Sequence, residues 1–128
     1  MTQFEKLDRI LVWDVDNQVI TDRIRRYMIR IEWIKEKVQA SEYFFSKHGD
    51  QERQNENLLI AEVEEAVLSG RILEQYGNTG RGDCCLVAGF SNSGKPIHVI
   101  CGRRGEQLVV VTVYIPGPPK FRTPYERR

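Results

Sequence analysis

The sequence has few of the residues that hold small secreted or membrane proteins together. Only three cysteines occur in 128 residues, and Cys84 and Cys85 are adjacent while Cys101 stands alone, unlike the even, spaced set of a disulfide framework. No apolar run approaches the ~20 residues of a membrane span, and the start MTQFEKLDRI lacks the apolar core of a secretory signal. We therefore expect a cytoplasmic protein with no membrane partner and with buried, reduced thiols.

Proline is also scarce outside one segment. Four of the five prolines lie in the last 13 residues, PGPPKFRTPYERR. Because proline cannot donate to a strand ladder, this tail is not expected to continue a sheet. We expect residues 117–128 to form a Pro-rich basic tail that lies along the surface or is mobile.

Charge is nearly balanced overall but uneven along the chain. The net charge is +1, yet residues 1–65 hold 14 acidic and 10 basic side chains, whereas residues 90–128 hold 7 basic and 2 acidic. A basic C-terminal third suits a phosphate-bearing or acidic partner. An ordinary soluble surface with uneven charge explains the same pattern equally well.

The N-terminal third gives mixed signals. RILVWDVDNQVITDRI fits two short strands around Asp16-Asn17 or a strand that enters a helix, so residues 1–27 are treated as an N-terminal extension. Apolar spacing favours one long helix from Ile20 to Ala40, although YMIRIEWI alternates as a strand would. A helix from about Trp33 to Ser41 is expected in either case.

A second helix is predicted in NENLLIAEVEEAVLSGR, which contains residues typical of both a helix start and a helix end. Asn57 can cap it and Gly70 can end it. One face would carry Leu59, Val63, Ala66 and Val67, and the opposite face would expose Glu62, Glu64 and Glu65 to water.

Four strand-like runs follow Gly70: RILEQY, CCLVAGF, PIHVIC and QLVVVTVYI. Their short, turn-rich connections predict antiparallel neighbours. The expected fold is α+β, with N-terminal helices on one face of an antiparallel sheet of about four strands, in a domain of residues 28–116.

His98 is the first candidate for chemistry. In a strand it shares a face with Ile100, whereas Ile97, Val99 and Cys101 face the other way. If the Ile97 side covers the helices, His98 points outward, where its near-neutral titration suits proton transfer. A hydrogen-bonded structural role is the alternative.

The other histidine, His48, lies in SKHGDQER with Arg53 nearby. Together with the Glu52 carboxylate, these residues could hold a phosphate or orient the imidazole, or they could form a helix-capping network. A zinc site of Cys84, Cys85, His98 and Cys101 is disfavoured because strand neighbours face opposite sides and no Cys-x-x-Cys pair occurs. Neither SNSGK nor GNTGRG matches a phosphate loop, so no metal and no cofactor is expected.

Basic side chains interleave with aromatic ones near the C-terminus. That mixture suits single-stranded RNA, where cations meet phosphates and rings stack on bases. Solubility of a hairpin tip and a tail is the alternative explanation. The candidate nucleic-acid-binding residues are Lys95, Arg103, Arg104, Lys120 and Arg122.

From about Trp33 to Pro116 the chain resembles a bacterial domain-of-unknown-function family grouped with the RelE/ParE-like toxin superfamily. The resemblance rests on the order and spacing of WIKEKVQASEYFFSKHGDQER, AEVEEAVLSGRILEQY, RGDCCLVAGFSNSGKPIHVICG and VVVTVYIP. The pattern has His then Arg after the first helix, Pro-x-His in the third strand and a Val-Tyr-x-Pro ending. In this chain these positions are His48, Arg53, Pro96, His98, Tyr114 and Pro116.

The resemblance implies a toxin-like α+β fold, a small antitoxin partner of zinc-finger or other type, and RNA or the ribosome as target, cleaved without metal. Other members of the superfamily poison DNA gyrase instead. The hypothesis is a metal-independent endoribonuclease. His48 or His98 would transfer protons, Arg53 with Arg103 or Arg104 would stabilise the phosphorane, and Tyr114 would position a base. The alternative is a non-catalytic toxin-fold binding module in which His48, His98 and Tyr114 form a buried polar network.

Overall fold

A computed structural model describes residues 12–13, 19–20, 28–79, 82–117 and 121–127, with the backbone alone at 12–13, 19–20, 78–79, 82, 121–123 and 126–127. The helices are α1 (Ile31–Gln39), α2 (Lys47–Asn55) and α3 (Ile60–Ser69). The strands are β1 (Val12–Trp13), β2 (Val19–Ile20), β3 (Tyr43–Phe45), β4 (Arg71–Thr79), β5 (Gly82–Phe90), β6 (Pro96–Arg104), β7 (Gln107–Tyr114), β8 (Phe121–Thr123) and β9 (Glu126–Arg127).

The α+β class is confirmed, but the sheet differs from the prediction. It has five strands in the order β3-β7-β6-β5-β4, and it is mixed because β3 runs parallel to β7. The four predicted strands pair antiparallel as expected. The sequence YFF at β3 is too short for a period-of-two pattern. The two helices and three strands between β3 and β7 make the connection long enough for a parallel pair.

The helices pack on one face of this sheet. Val63, Ala66 and Val67 of α3 are buried against β5 and β6, as the apolar spacing predicts. The start of α3 differs from the prediction, because Leu59 is the N-cap and is 66% exposed, while Glu62 accepts a hydrogen bond from the Leu59 amide at 2.9 Å. Asn57 instead takes a left-handed conformation (φ 56°) in the preceding turn, which asparagine tolerates better than most residues.

All three glutamates predicted to face water have structural partners instead: Glu62 accepts from the Leu59 amide, and Glu65 Oε1 accepts from the Asn92 amide at 2.8 Å. Tyr43 donates a hydrogen bond from its hydroxyl to Glu64 Oε2 at 2.5 Å, which ties β3 to α3. Burial, together with the Glu64 carboxylate, raises the pKa of Tyr43. The charge of Glu64 is therefore used to anchor the edge strand of the sheet.

The first helix is shorter than the long helix expected from Ile20. Residues 28–30 are not helical, and Ile29 is buried in the core. Its amide donates to Gln75 Oε1 at 3.1 Å, and its carbonyl accepts from Gln75 Nε2 at 2.8 Å. One side-chain amide thus satisfies both backbone groups of a buried, non-helical residue, and α1 begins only at Ile31. Further towards the N-terminus, β1 and β2 pair antiparallel, as in the first of the two alternatives, and Asp16-Asn17 lie outside the described residues.

Helix α2 is anchored to an irregular part of β7. The β6–β7 register shifts between Ile100 and Cys101, which leaves Val111 as an extra residue in β7. Ser46, the N-cap of α2, donates from its amide to the Val110 carbonyl at 2.9 Å and from Oγ to the Val111 carbonyl at 3.1 Å. The cap thereby satisfies carbonyls at the bulge and fixes the last stretch of β7, which carries Tyr114.

The C-terminal segment is a separate element. As predicted, it does not continue the five-stranded sheet; β8 and β9 form a two-stranded hairpin with Pro124 and Tyr125 in its turn. Among the described residues, no helix is long and apolar enough to cross a membrane.

The buried thiols of Cys85 and Cys101 should make the fold less stable at alkaline pH. Burial raises the pKa of Cys85 to about 12 and that of Cys101 well above its usual value. Unfolded thiols ionise near pH 8.5, so above that pH proton loss favours the unfolded chain. Stability should be fully present below about pH 8 and should then fall by at most about 1.4 kcal/mol per pH unit for each thiol.

Urea unfolding at pH 8 and pH 10 measures this effect. The matched control is the double variant Cys85→Ala and Cys101→Ala, whose free energy of unfolding should change less between the two pH values. Equal changes in the double variant and the parent chain would show that these thiols are not the source.

Candidate functional site on the outer sheet face

The sheet has a second face, opposite the helices. Cys85, Val87, Ile97, Val99 and Cys101 belong to the core cluster shared with the helices. Strand alternation therefore places their neighbours on the other side. We call this side the outer face; its residues include Leu86, Ala88, His98, Ile100 and Tyr114. This placement confirms that His98 faces away from the helices.

A row of side chains crosses the outer face from strand to strand. Arg71 of β4 lies opposite Ala88 of β5, Ala88 lies opposite His98 of β6, and His98 lies opposite Tyr114 of β7. Adjacent strands are about 4.8 Å apart, so the backbones of Arg71 and His98 are separated by about 10 Å. Because alanine is small, the row forms a groove with Ala88 at its floor and with Arg71 and His98 as its walls.

His98 is held by both of its ring nitrogens. Nδ1 lies 3.1 Å from the Tyr114 hydroxyl, and Nε2 lies 2.5 Å from the Pro124 carbonyl oxygen. A carbonyl can only accept, so Nε2 must donate. In the neutral ring Nδ1 then accepts from the Tyr114 hydroxyl, and in the cation it donates to the same hydroxyl. Tyr114 can therefore hold the ring in both protonation states.

The β8–β9 turn fills the groove above this row. His98 is fully buried (0% exposed), and the Pro124 carbonyl lies directly on its Nε2. The Tyr125 ring packs beside Phe90, with ring centres 5.8 Å apart, and the Arg71 guanidinium carbon stands 4.3 Å from the centre of the Tyr125 ring. Phe90 and Arg71 thus form a cage for a flat ring, next to the outward nitrogen of His98.

The two other predicted catalytic residues lie elsewhere, on α2. His48 is exposed in the first turn of this helix. Arg53 binds within its own segment: Nη2 donates to Asp50 Oδ1 at 2.9 Å and Nη1 donates to the carbonyl of buried Leu58 at 2.7 Å. The structure therefore brings together His98 and Tyr114, and it holds the Arg53 guanidinium in a clamp between α2 and the loop that enters α3.

This clamp predicts a stability effect. Arg53→Ala should lower the free energy of unfolding by about 2 kcal/mol, because it removes charge-assisted hydrogen bonds to Asp50 and to the Leu58 carbonyl. Arg53→Lys should recover little of the loss, since an ammonium lacks the planar fork. Denaturant unfolding measures both variants.

Arg30→Ala is the matched control for these variants. Among the described residues, the ion pair of Arg30 is an exposed one with Glu32 at 3.8 Å, so its removal should change stability by less than about 0.5 kcal/mol. A similarly small effect of Arg53→Ala would contradict the clamp.

The predicted nucleic-acid-binding residues are spread over both sides of the sheet. Lys95 pairs with Glu62 of α3 at 2.9 Å, and Arg103 pairs with Asp83 at 2.6 Å on the helix side. Arg104 is on the outer face, where its Nη1 is buried near Gly102 with no hydrogen-bond partner among the described residues. Lys120 and the side chain of Arg122 lie outside the described residues. Arg104 is therefore the described member of the set that shares a face with His98.

Two residues of the groove were missed in the sequence. Arg71 follows the helix-ending Gly70 and looks like an ordinary exposed start of a strand, and Phe90 looks like the end of one. Their proximity to His98 depends on strand register, which single-strand patterns do not carry. No group of three His, Cys, Asp or Glu side chains comes together as a metal site within the described ranges.

The fold and groove define an α+β domain with a histidine–tyrosine pair on its outer sheet face. The family model that matches the chain is "Domain of unknown function (DUF4258)", over residues 45–115. This match covers more than half of the chain, from the end of β3 to just after β7, and the chain belongs to that family. Searches of curated proteins and of solved structures returned no match.

Proposed function

We propose that this protein is the toxin-like component of a bacterial toxin–antitoxin pair and acts as a metal-independent endoribonuclease. The observation that carries the proposal is the His98–Tyr114 pair, whose outward Nε2 already donates to an oxygen acceptor. The resemblance to RelE/ParE-like toxins supports RNA, free or on the ribosome, as the substrate, and a small antitoxin of zinc-finger or other type as the partner.

Because Nε2 of His98 carries a proton, this histidine suits one of the two proton transfers of RNA cleavage. In RNA cleavage the 2′-hydroxyl attacks phosphorus, the 2′-oxygen–phosphorus bond forms and the bond to the 5′-oxygen breaks. Protonated His98 would give its Nε2 proton to the departing 5′-oxygen, and Nδ1–H would continue to donate to Tyr114. The 2′-hydroxyl proton goes to solvent in this step, because His48, the sequence-based candidate for its acceptor, lies on α2, away from the outer face.

Two arginines of the outer face suit an anionic ligand. Arg71 lies in the same cross-strand row as His98, so its positive charge would favour the approach of RNA to this part of the outer face. Arg104 follows His98 by six residues on the same strand, about 20 Å away along the backbone. With a buried donor that lacks a partner among the described residues, Arg104 suits a phosphate further along the RNA. Arg53 and Arg103 are each paired with a carboxylate and are therefore less suited to bind a phosphate.

Incubation of the purified chain with mixed-sequence RNA, free and ribosome-bound, in excess chelator tests the proposal. We expect cleavage that yields a 2′,3′-cyclic phosphate and a 5′-hydroxyl, and no cleavage of an all-2′-deoxy substrate, because the attacking hydroxyl is missing. Absence of cleavage on both RNA substrates would contradict the nuclease proposal.

A non-catalytic binding module is the second candidate. The observation that favours it is the complete burial of His98 with both nitrogens hydrogen-bonded, which is how structural histidines are satisfied. In this case His98→Ala would lower stability, and the parent chain would cleave no RNA. Inhibition of DNA supercoiling by gyrase is then the next activity to measure.

A further inference from the structure

We propose that the C-terminal turn occupies a nucleotide-binding site, with Tyr125 in the place of a base and the Pro124 carbonyl in the place of a backbone oxygen. The inference deepens the proposed function, on which its choice of RNA as ligand rests. It assigns the base site to Arg71 and Phe90, which neither the sequence patterns nor the family match indicates.

The cage around the Tyr125 ring has the chemistry to hold other flat rings. A guanidinium stands 4.3 Å from the centre of the Tyr125 ring on one side, and a phenyl ring meets its edge at 5.8 Å on another. Cation–π and edge-to-face contacts are not specific to tyrosine, because every nucleobase also presents a π-face to a guanidinium or an aromatic ring. The cage can therefore take a base when Tyr125 leaves.

An oxygen acceptor lies close to the Tyr125 ring in the same turn. The Pro124 carbonyl lies one residue before Tyr125 and accepts from His98 Nε2 at 2.5 Å. A nucleotide likewise joins a flat base to oxygen acceptors a few bonds away. The turn thus presents a ring to Arg71 and Phe90 and an acceptor to His98, which is the pairing that a bound nucleotide requires.

The hairpin that covers His98 is a separate element of the fold. The hairpin of β8 and β9 pairs with itself and does not extend the five-stranded sheet. Its displacement would therefore break none of the strand pairs β3-β7-β6-β5-β4. RNA and the turn are then competitors for one groove, and the turn lowers the affinity for RNA.

Fluorescence anisotropy with a labelled 2′-O-methyl RNA of mixed sequence tests this competition in the full-length chain. The 2′-O-methyl groups prevent cleavage, so binding is measured whether or not the protein is a nuclease. Tyr125→Ala should tighten binding at least about fivefold, the low end of the value of one stacked base. Tyr125→Phe keeps the ring and should leave the affinity within about twofold of the parent.

Two further variants test whether the increase in RNA affinity depends on Arg71 and Phe90. In the Tyr125→Ala chain, a second replacement, Arg71→Ala or Phe90→Ala, should remove most of the increase. As a control in the same Tyr125→Ala chain, Leu59→Ala, at an exposed position before α3, should leave the increase in RNA affinity unchanged. Thermal unfolding confirms that each variant is folded before it is measured.

The inference is overturned if Tyr125→Ala binds RNA no more tightly than the parent, or if the gain persists without Arg71 and Phe90. These results are independent of the nuclease test. Tighter binding without cleavage by any variant would leave the base site standing and reject the nuclease, whereas cleavage with no effect of Tyr125→Ala would do the reverse.

Discussion

His98→Ala is expected to lower the rate of RNA cleavage by about 10² to 10⁴, the range for loss of a general acid or base. The reason is the position of Nε2, which donates to the Pro124 carbonyl where we place the departing 5′-oxygen. Tyr114→Phe should have a smaller effect on rate, because it removes the hydroxyl that orients the ring and leaves the proton donor in place. Single-turnover cleavage in excess chelator measures both.

Folding has to be separated from chemistry in this experiment, because His98 is completely buried. His98→Gln keeps a polar side chain of similar length and serves as the second variant, and each is assayed well below its melting temperature. Loss of cleavage in His48→Ala, with normal rates in both His98 variants, would move the proton-transfer site to α2 and refute the assignment to His98.

Gly89→Ala is expected to destabilise the fold by about 3 kcal/mol or more, at the upper end of overpacking effects. A Cβ at Gly89 would lie 1.9 Å from the Ala66 carbonyl oxygen and 3.0 Å from the Gly70 Cα. These are backbone atoms of α3 and its C-cap, so no side-chain rotation can relieve the contact. The helix would have to move off β5, and the packing of Ala66 and Val67 would be lost. Urea unfolding measures the loss.

Gly77→Ala is the matched control in a neighbouring strand, because no atom lies within 4 Å of its added Cβ. Its effect should be less than about 0.5 kcal/mol. If Gly89→Ala unfolds at the same urea concentration as Gly77→Ala, then α3 does not approach β5 as closely as the structure has it.

The fold could be predicted where one element carries its own pattern. The four strands after Gly70 and the buried face of α3 were predictable from local spacing, since their side chains alternate or recur every three to four residues. The strand β3 and the start of α1 were not. A three-residue strand has no period, and the non-helical Ile29 is stabilised by Gln75, 46 residues away, a tertiary contact that outweighs local helical spacing.

The candidate site was predictable only in part, for the same physical reason. The face of His98 follows from alternation within β6, and the family resemblance marks His98 and Tyr114. Their hydrogen bond depends on the register between β6 and β7, which includes a bulge at Val111. To predict the position of Arg71 beside His98, one must know the registers of three strands. To predict that Pro124 and Tyr125 cover His98, one must know the path of a Pro-rich tail. None of these follows from spacing along one segment.

Cleavage of an RNA with sulfur in place of the 5′-bridging oxygen at one bond tests the central claim most directly. A thiolate departs without protonation, so the need for a general acid disappears while the phosphate and the bases are retained. We predict that His98→Ala, impaired about 10² to 10⁴-fold on the normal RNA, cleaves the sulfur substrate at nearly the parent rate. An equal impairment on both substrates would contradict the assignment of His98 as the group that protonates the leaving oxygen.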